Sequence, residues 1–393
     1  MTIATHMATF LEKSSWIRKM FEEGARLKAI HGAERVFDFS LGNPYMQPPQ
    51  RFKEQLKRVA ECDQIGIHSY MPNPGYPFVR ESVAAYLSGE YGADISENEI
   101  LMTCGAAGGL NVILKTILDP GDEVITPAPY FVEYGFYADN HGGRLKTVQT
   151  HTDFTLNLAA IEEAITDKTK AVLINSPNNP TGQIYSKESI DALGDLLLQK
   201  SRALDRTIYL VSDEPYRKIV YDGITVPSIF SAYPNSLVAT SYSKDLSIPG
   251  ERIGFIAINP RADYKTDLIS AMALANRILG FVNAPAFMQR LVGALQGESV
   301  DISHYARKRE LLCDGLKDCG YDFVKPPGTF YLFPRSPIED DVKFVQALQE
   351  ELILAVPGSG FGGPGHIRLA FCVDDQTITD AMPGFEKAIK RFT

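Results

Sequence analysis

The chain has 393 residues, 45% hydrophobic and 22% charged, with a formal net charge of −9. That length allows two or three domains around a large buried core, and the composition is that of a globular protein. The acidic balance argues against a nucleic-acid partner, because a phosphate backbone needs a basic face. No uncharged apolar run is long enough to span a bilayer, and the opening segment MTIATHMATFLEKSSW has neither the basic start nor the apolar core of a secretory signal. The five cysteines, Cys62, Cys104, Cys313, Cys319 and Cys372, are odd in number and form no Cys-x-x-Cys pair. Reduced thiols and a cytoplasmic setting are the expectation. The seven histidines show no ligand-like spacing, so no metal is expected.

Taken in chain order, the spacing predicts an amphipathic helix over 9–31, with Phe10, Ile17, Met20, Phe21, Leu27 and Ile30 interleaved with charges. A strand over 36–41 runs into the Gly42-Asn43-Pro44 turn, and 49–60 returns to helical spacing. A proline-rich arm then presents Tyr70 before a helix that starts near Pro77. A strand over 100–103 ends in Cys104-Gly105-Ala106-Ala107-Gly108-Gly109 and enters a helix that runs to Leu118. Such a turn aims free backbone N–H groups and the positive end of a helix at an anion. It is also a common packing device, so alone it is a weak signal. Strands over 123–126, 144–148, 171–175 and 207–212 alternate with helices, which implies a parallel or mixed sheet covered on both faces.

In such sheets ligands sit at the carboxyl ends of the strands. Residues 171–175 lead into SPNNPTG, which projects Asn179, and 207–212 lead into DEPYRKIVY, which presents Asp213 and Tyr216. A helix N-cap would explain Asp213 but not the succession of polar groups at successive strand ends. Two buried strands over 237–240 and 253–258 bracket Ser241, Ser243, Lys244 and Arg252. A lysine at the edge of a buried sheet is costly to keep charged, so its neutral amine becomes a nucleophile. The serines and the arginine offer donors to a small dianion. An imine-forming amine beside a phosphate site suggests pyridoxal phosphate. Residues 263–296 read as helical and 301–319 as a second long helix. A smaller mixed unit follows, with strands over 321–324, 329–333, 352–356 and 367–371, a helix over 341–351 and a final helix. Gly358, Gly360 and Gly363 match G-x-G-x-x-G, but Pro364 and a strand follow where a dinucleotide site needs a helix. A loop feeding Arg368 into that strand suits a guanidinium held for a carboxylate.

Together N-N-P-T-G at 178–182, S-D-E-P-Y at 212–216, S-x-S-K at 241–244 with Arg252, and H-I-R-L at 366–369 resemble the class I/II aminotransferases of the fold-type I pyridoxal phosphate enzymes. The resemblance covers nearly the whole chain. It implies an α/β fold, with a three-layer αβα large domain on a mostly parallel mixed sheet and a smaller α+β domain. The expected division is 1–45 as N-terminal arm and part of the small domain, 46–284 as cofactor domain and 285–393 as small domain. The implied activity is transfer of an amino group between an L-amino acid and a 2-oxo acid by a ping-pong route. A C–S β-lyase shares every cofactor residue and is the alternative, and a non-catalytic regulator is a third reading.

The resemblance also implies residue roles. Lys244 would hold the cofactor as an imine and then move the proton at the substrate Cα. Asp213 would pair with the ring nitrogen, and Tyr216 and Asn179 with the phenolic oxygen. Phe131 in PAPYFVEY looks like the stacking aromatic, with Tyr130 as the other candidate. Gly105, Ala106 and Ala107, with Ser241, Ser243 and Arg252, would hold the phosphate. Tyr70 resembles the tyrosine that reaches a neighbouring subunit's phosphate, which implies a homodimer with shared sites. Arg368 would fork the substrate α-carboxylate, with Asn179 and Gly42 or Asn43 lining the pocket. Ala107 stands where one branch of aspartate enzymes has a lysine for the second carboxylate, and Arg277 lies about one residue from where another branch places an arginine. The missing lysine leaves dicarboxylate specificity open, and Arg277 reads as a helix-surface arginine.

Overall fold

The computed structural model describes residues 2–12 and 16–392. Its centre is a seven-stranded sheet of β1 (Ile100–Thr103), β2 (Glu123–Ala128), β3 (Arg144–Gln149), β4 (Thr169–Asn175), β5 (Tyr209–Asp213), β6 (Ser236–Ser241) and β7 (Gly254–Ile258), in the order β1-β7-β6-β5-β4-β2-β3. Only β7 runs against its neighbours β1 and β6, and the remaining pairs are parallel. All seven boundaries fall within a few residues of the expectation, because buried strands are short apolar runs closed by turn residues.

The two-residue period of a strand assigns its side chains to two layers. Ile174, Leu210 and Val238 face one way, against Val83 and Leu87 of helix Pro77–Tyr91 and Leu193 and Leu197 of helix Lys187–Ala203. Leu173, Val211, Leu237 and Ala239 face the other way, against helices Gly105–Ile117 and Lys265–Ile278. Pro77 occupies the first turn of its helix, where its missing N–H is not needed. By the same period Asn175, Asp213 and Ser241, each last in its strand, share the face of Leu173, Val211 and Ala239.

The second core gathers Phe330, Tyr331, Leu332, Phe333, Phe344, Ile353, Leu369 and Phe385. It is built on a parallel pair, Phe37–Asp38 with Ile353–Leu354, and an antiparallel ladder, Val356–Pro357, Ile367–Ala370 and Tyr331–Leu332. Helices Ile302–Asp318, Asp341–Glu350 and Asp375–Ile389 cover it. Asp301, Asp340 and Asp374 cap them by accepting from the N–H of Ser303, Lys343 and Thr377.

Six expected elements differ, and two of them, the strands over 36–41 and 329–333, shorten to Phe37–Asp38 and Tyr331–Leu332. Residues 321–324 form no strand: Gly320 turns the chain at φ +90° and Asp322 offers its carbonyl to the Arg335 N–H outside any ladder. The run 352–356 divides in two, because Ile353–Leu354 pairs with Phe37–Asp38 while Val356–Pro357 pairs with the strand that carries Arg368. The span 263–296 breaks into Lys265–Ile278 and Ala286–Gly293 around Gly280 and Pro285. The N-terminal stretch forms helices Thr5–Glu12 and Trp16–His31, with 13–15 and the side chains of Ile17 and Phe21 outside the described residues. Gly358–Phe361 is a short 3-10 turn ending in a left-handed glycine, in keeping with the rejected dinucleotide reading. Among the described residues no helix is long and apolar enough to cross a membrane.

Candidate active site

The carboxyl ends of β1, β4, β5 and β6 and the start of β7 lie on one edge of the sheet, since Thr103 and Ser241 both pair with Gly254 and Asn175 pairs with Asp213. That edge collects most of the polar groups singled out above.

Lys244 lies three residues beyond β6 and is half-buried. Its Nζ donates to the Gly42 carbonyl at 2.8 Å and lies 5.8 Å from the Tyr216 ring centroid and 5.4 Å from that of Phe330. Burial, reinforced by the positive charges of Arg368 and Arg252, pulls its ammonium down to about 8, while Cys372 acts the other way. Asp213 is buried, and its Oδ2 accepts from the Tyr134 hydroxyl at 2.6 Å while Oδ1 is shut away with no partner among the described residues. Burial pushes its carboxyl up to about 7 against the pull of the Tyr134 hydrogen bond. The Tyr216 hydroxyl shares a 3.0 Å hydrogen bond with that of Tyr331, and its phenol feels both Asp213 and Arg368.

Arg368, 2% exposed, donates from Nη1 to Asn179 Oδ1 at 3.1 Å and from Nη2 to the Ser40 carbonyl at 2.6 Å. Its plane lies over the Tyr331 and Phe361 rings at 4.6 and 4.7 Å, and its Nε is buried without an acceptor among the described residues. Asn179 is fixed from below, its N–H donating to Asn175 Oδ1 at 2.6 Å, and Asn175 Nδ2 donates to the Asp213 carbonyl at 2.7 Å. The turn that holds it contains cis bonds at Ser176-Pro177 and Asn179-Pro180.

At the other end of the edge the Arg252 guanidinium lies against Gly105, where a Cβ would come within 3.0 Å of Nη2. Gly105 is in the left-handed region and opens the helix that carries Ala106 and Ala107. Ser241 and Ser243 are buried beside it, with the Ser243 N–H donating to Ser241 Oγ at 3.4 Å. Free helix-end N–H groups, two hydroxyls and a guanidinium make an anion cradle. Gly42 is equally constrained, since a Cβ there would fall 1.8 Å from the Tyr331 hydroxyl.

Phe131 is half-buried and meets Tyr134 edge-to-face at 5.6 Å, while the Tyr130 ring packs against Gly362. Asn43 is exposed. Tyr70 is 89% exposed on its arm and Arg277 is exposed on helix Lys265–Ile278, so neither is buried against the cleft of its own chain.

Tyr331, Phe330, Tyr134 and Ser40 escaped the sequence reading. Tyr331 and Phe330 sit in an apolar run where a phenol in a site looks like a core aromatic. Ser40 contributes only a carbonyl. Tyr134 had a signal, because it follows Phe131 by one helical turn.

The model of the family described as aminotransferase class I and II matches residues 34–384. A probable aspartate aminotransferase of Methanocaldococcus jannaschii is 33% identical, over 88% of this chain and 91% of the relative. An aspartate/prephenate aminotransferase of Thermus thermophilus is 31% identical over 90% of each chain. A crystal structure of an amino transferase from Eubacterium rectale superposes with a TM-score of 0.97 at 40% identity, covering all of both chains.

The Lys244 environment sets a pH dependence. Below about 8 the amine is mostly ammonium, and above it the neutral nucleophile dominates. In ligand-free protein, labelling of Lys244 by a small amine-reactive probe should rise with a midpoint near 8, roughly two units below surface lysines. Peptide mass spectrometry across pH measures it, and a midpoint of a surface lysine would discard the depressed amine.

Proposed function

The chain belongs to the class I and II aminotransferases, and on that premise we propose that it moves an amino group between an L-amino acid and a 2-oxo acid with pyridoxal 5′-phosphate as cofactor, by a ping-pong route. The observation that carries the cofactor reading is the buried Oδ1 of Asp213, which has no partner among the described residues and shares its sheet edge with an amine brought toward neutrality. An orphaned buried carboxylate oxygen is costly, and a protonated ring nitrogen is the group that would satisfy it. The cradle of Gly105, Ala106, Ala107, Ser241, Ser243 and Arg252 fits a phosphate, and Phe131 fits the face of a ring.

When bound, pyridoxal phosphate supplies an electron sink that makes the substrate Cα proton removable. The chain supplies the rest. Lys244 Nζ anchors the cofactor and, once released, carries the proton at the substrate Cα, with the Gly42 carbonyl as its resting partner at 2.8 Å. Asp213 holds the proton at the ring nitrogen. Tyr216 donates at the phenolic oxygen, as does the Asn179 amide, whose Oδ1 is already engaged by Arg368. Arg368 takes the α-carboxylate by exchanging the Ser40 carbonyl for a carboxylate oxygen, and its unused Nε is a further donor.

We also read Tyr70 as a contact to a second copy. It stands 89% exposed with Ile65 at 99% and Phe78 at 50% nearby in sequence, an apolar presentation suited to a partner subunit with shared sites.

Incubation of the protein with pyridoxal phosphate, a panel of L-amino acids and a 2-oxo acid should yield the exchanged pair, and release of pyruvate and ammonia instead would point to elimination. Lys244→Ala should abolish exchange and cofactor retention while circular dichroism stays that of the parent, and an active variant would end the proposal. For Arg368→Ala the expected loss in kcat/KM corresponds to about 2–5 kcal/mol, that of a desolvated charge pair. Kinetics equal to the parent would remove Arg368 from the site. Tyr70→Phe should weaken cofactor retention at equilibrium dialysis, and sedimentation that finds a fully active monomer would contradict the shared site.

A further inference from the structure

Tyr331 touches three groups of the cleft and has no part in the scheme above. It is buried at the start of the strand Tyr331–Leu332. There it pairs with Ala370, two residues beyond Arg368 on the neighbouring strand, so both side chains leave the same face of the ladder. Its ring lies under the Arg368 guanidinium at 4.6 Å and meets the Tyr216 ring edge-on at 5.7 Å. Its hydroxyl shares the 3.0 Å hydrogen bond with Tyr216 and fills the space that a side chain at 42 would need. Gly42 lacks the left-handed backbone that would itself call for glycine, so the phenol sets that requirement. A pair of buried tyrosines can bond simply to satisfy each other. Two phenylalanines would fill the space with no polar group to satisfy. Mutual satisfaction also leaves unexplained why one phenol lies against both the guanidinium and the residue whose carbonyl holds Lys244 at 2.8 Å.

Each hydroxyl has one proton, and a single bond between them leaves one proton over. Burial pushes both phenols up, so both stay protonated near neutrality. Arg368 pulls both back, but Asp213 adds to the rise at Tyr216, which is left the weaker acid. The stronger acid of a pair is the better donor, and the proton left over is then that of Tyr216. We propose that Tyr331 is a positioning residue. Its hydroxyl donates to the Tyr216 oxygen and so commits the Tyr216 proton to the phenolic oxygen of the cofactor, while its ring seats the guanidinium that takes the substrate carboxylate. This rests on the pyridoxal phosphate reading and deepens it. Hydrogen bonds in series strengthen one another, so Tyr216 donates more strongly for being donated to. The stronger bond draws negative charge from the phenolic oxygen, and the linkage between cofactor and Lys244 gives up its proton more readily.

The visible absorbance of the bound cofactor reports that proton, and its pH midpoint is the measurement. In holoenzyme, Tyr331→Phe keeps a ring under Arg368 and should raise the midpoint by about 0.3 units or more. Tyr216→Phe should raise it further. In the Tyr216→Phe background the Tyr331 substitution should add less than about 0.1 units, because Tyr331 acts through the hydroxyl already removed. A residue that only packs would leave the midpoint alone, and a thermal melt of each variant checks the fold. A Tyr331→Phe midpoint at or below the parent's, or a shift of the same size in both backgrounds, would overturn the assignment. A parent that retains no pyridoxal phosphate with a pH-dependent absorbance ends the cofactor reading and the proposal with it. A parent that titrates beside an unmoved variant ends the proposal alone.

Discussion

The constraint on which the site depends is the cost of keeping the Lys244 amine out of water beside two guanidinium groups. Burial and the charges of Arg368 and Arg252 act in the same direction, and the one hydrogen bond to the Gly42 carbonyl does not reverse them. At Asp213 burial works on the opposite sign, lifting the carboxyl toward neutrality. Base and acid are therefore displaced toward each other, to about 8 and about 7. Without a ligand the cleft carries less charge than its residue types suggest. An incoming ligand with a cationic ring nitrogen and anionic oxygens would restore the charged forms. The same environment thus makes the amine nucleophilic and makes an anionic ligand welcome.

Much of the large sheet was legible because two-faced burial writes strands as short apolar runs, and because each polar motif falls where such a run stops. Lys244, Asp213 and Asn179 could be placed on one edge by that rule, whereas Arg368 lies inside Ile367–Ala370 of the second core and was placed by its loop and the resemblance. The second core was less legible for a physical reason: its strands are two to four residues long. At that length period two has nothing to repeat, and pairing is decided by distant partners, as when Phe37–Asp38 takes Ile353–Leu354 out of a run that looked single. Tyr331 was hidden similarly, its phenol surrounded by aromatic neighbours that belong to packing.

The sharing of small groups also links the two cores. Ser40 and Gly42 lie two residues apart, and their carbonyls hold Arg368 and Lys244. Phe39 of the same segment donates its N–H to the Leu354 carbonyl and offers its own carbonyl to Ala370. The backbone that steadies both cationic groups is therefore tied into the second core, so that core contributes to the cleft through peptide carbonyls as well as through Arg368.

The single reversed strand has one more consequence. Because β7 runs back against β6, residues 242–253 leave and re-enter the sheet at the same edge, with Ser241 paired to Gly254. The connection is a clasp whose two ends are bolted side by side, and both the amine and the Arg252 guanidinium ride on it. Lengthening or shortening that clasp would disturb the spacing between nucleophile and anion cradle at once, whereas changes in a crossover helix that contributes nothing to the cradle, such as Lys187–Ala203, leave it alone. Variation in this fold has room to act on the helical layers, while the clasp resists both insertion and exchange of Lys244 or Arg252.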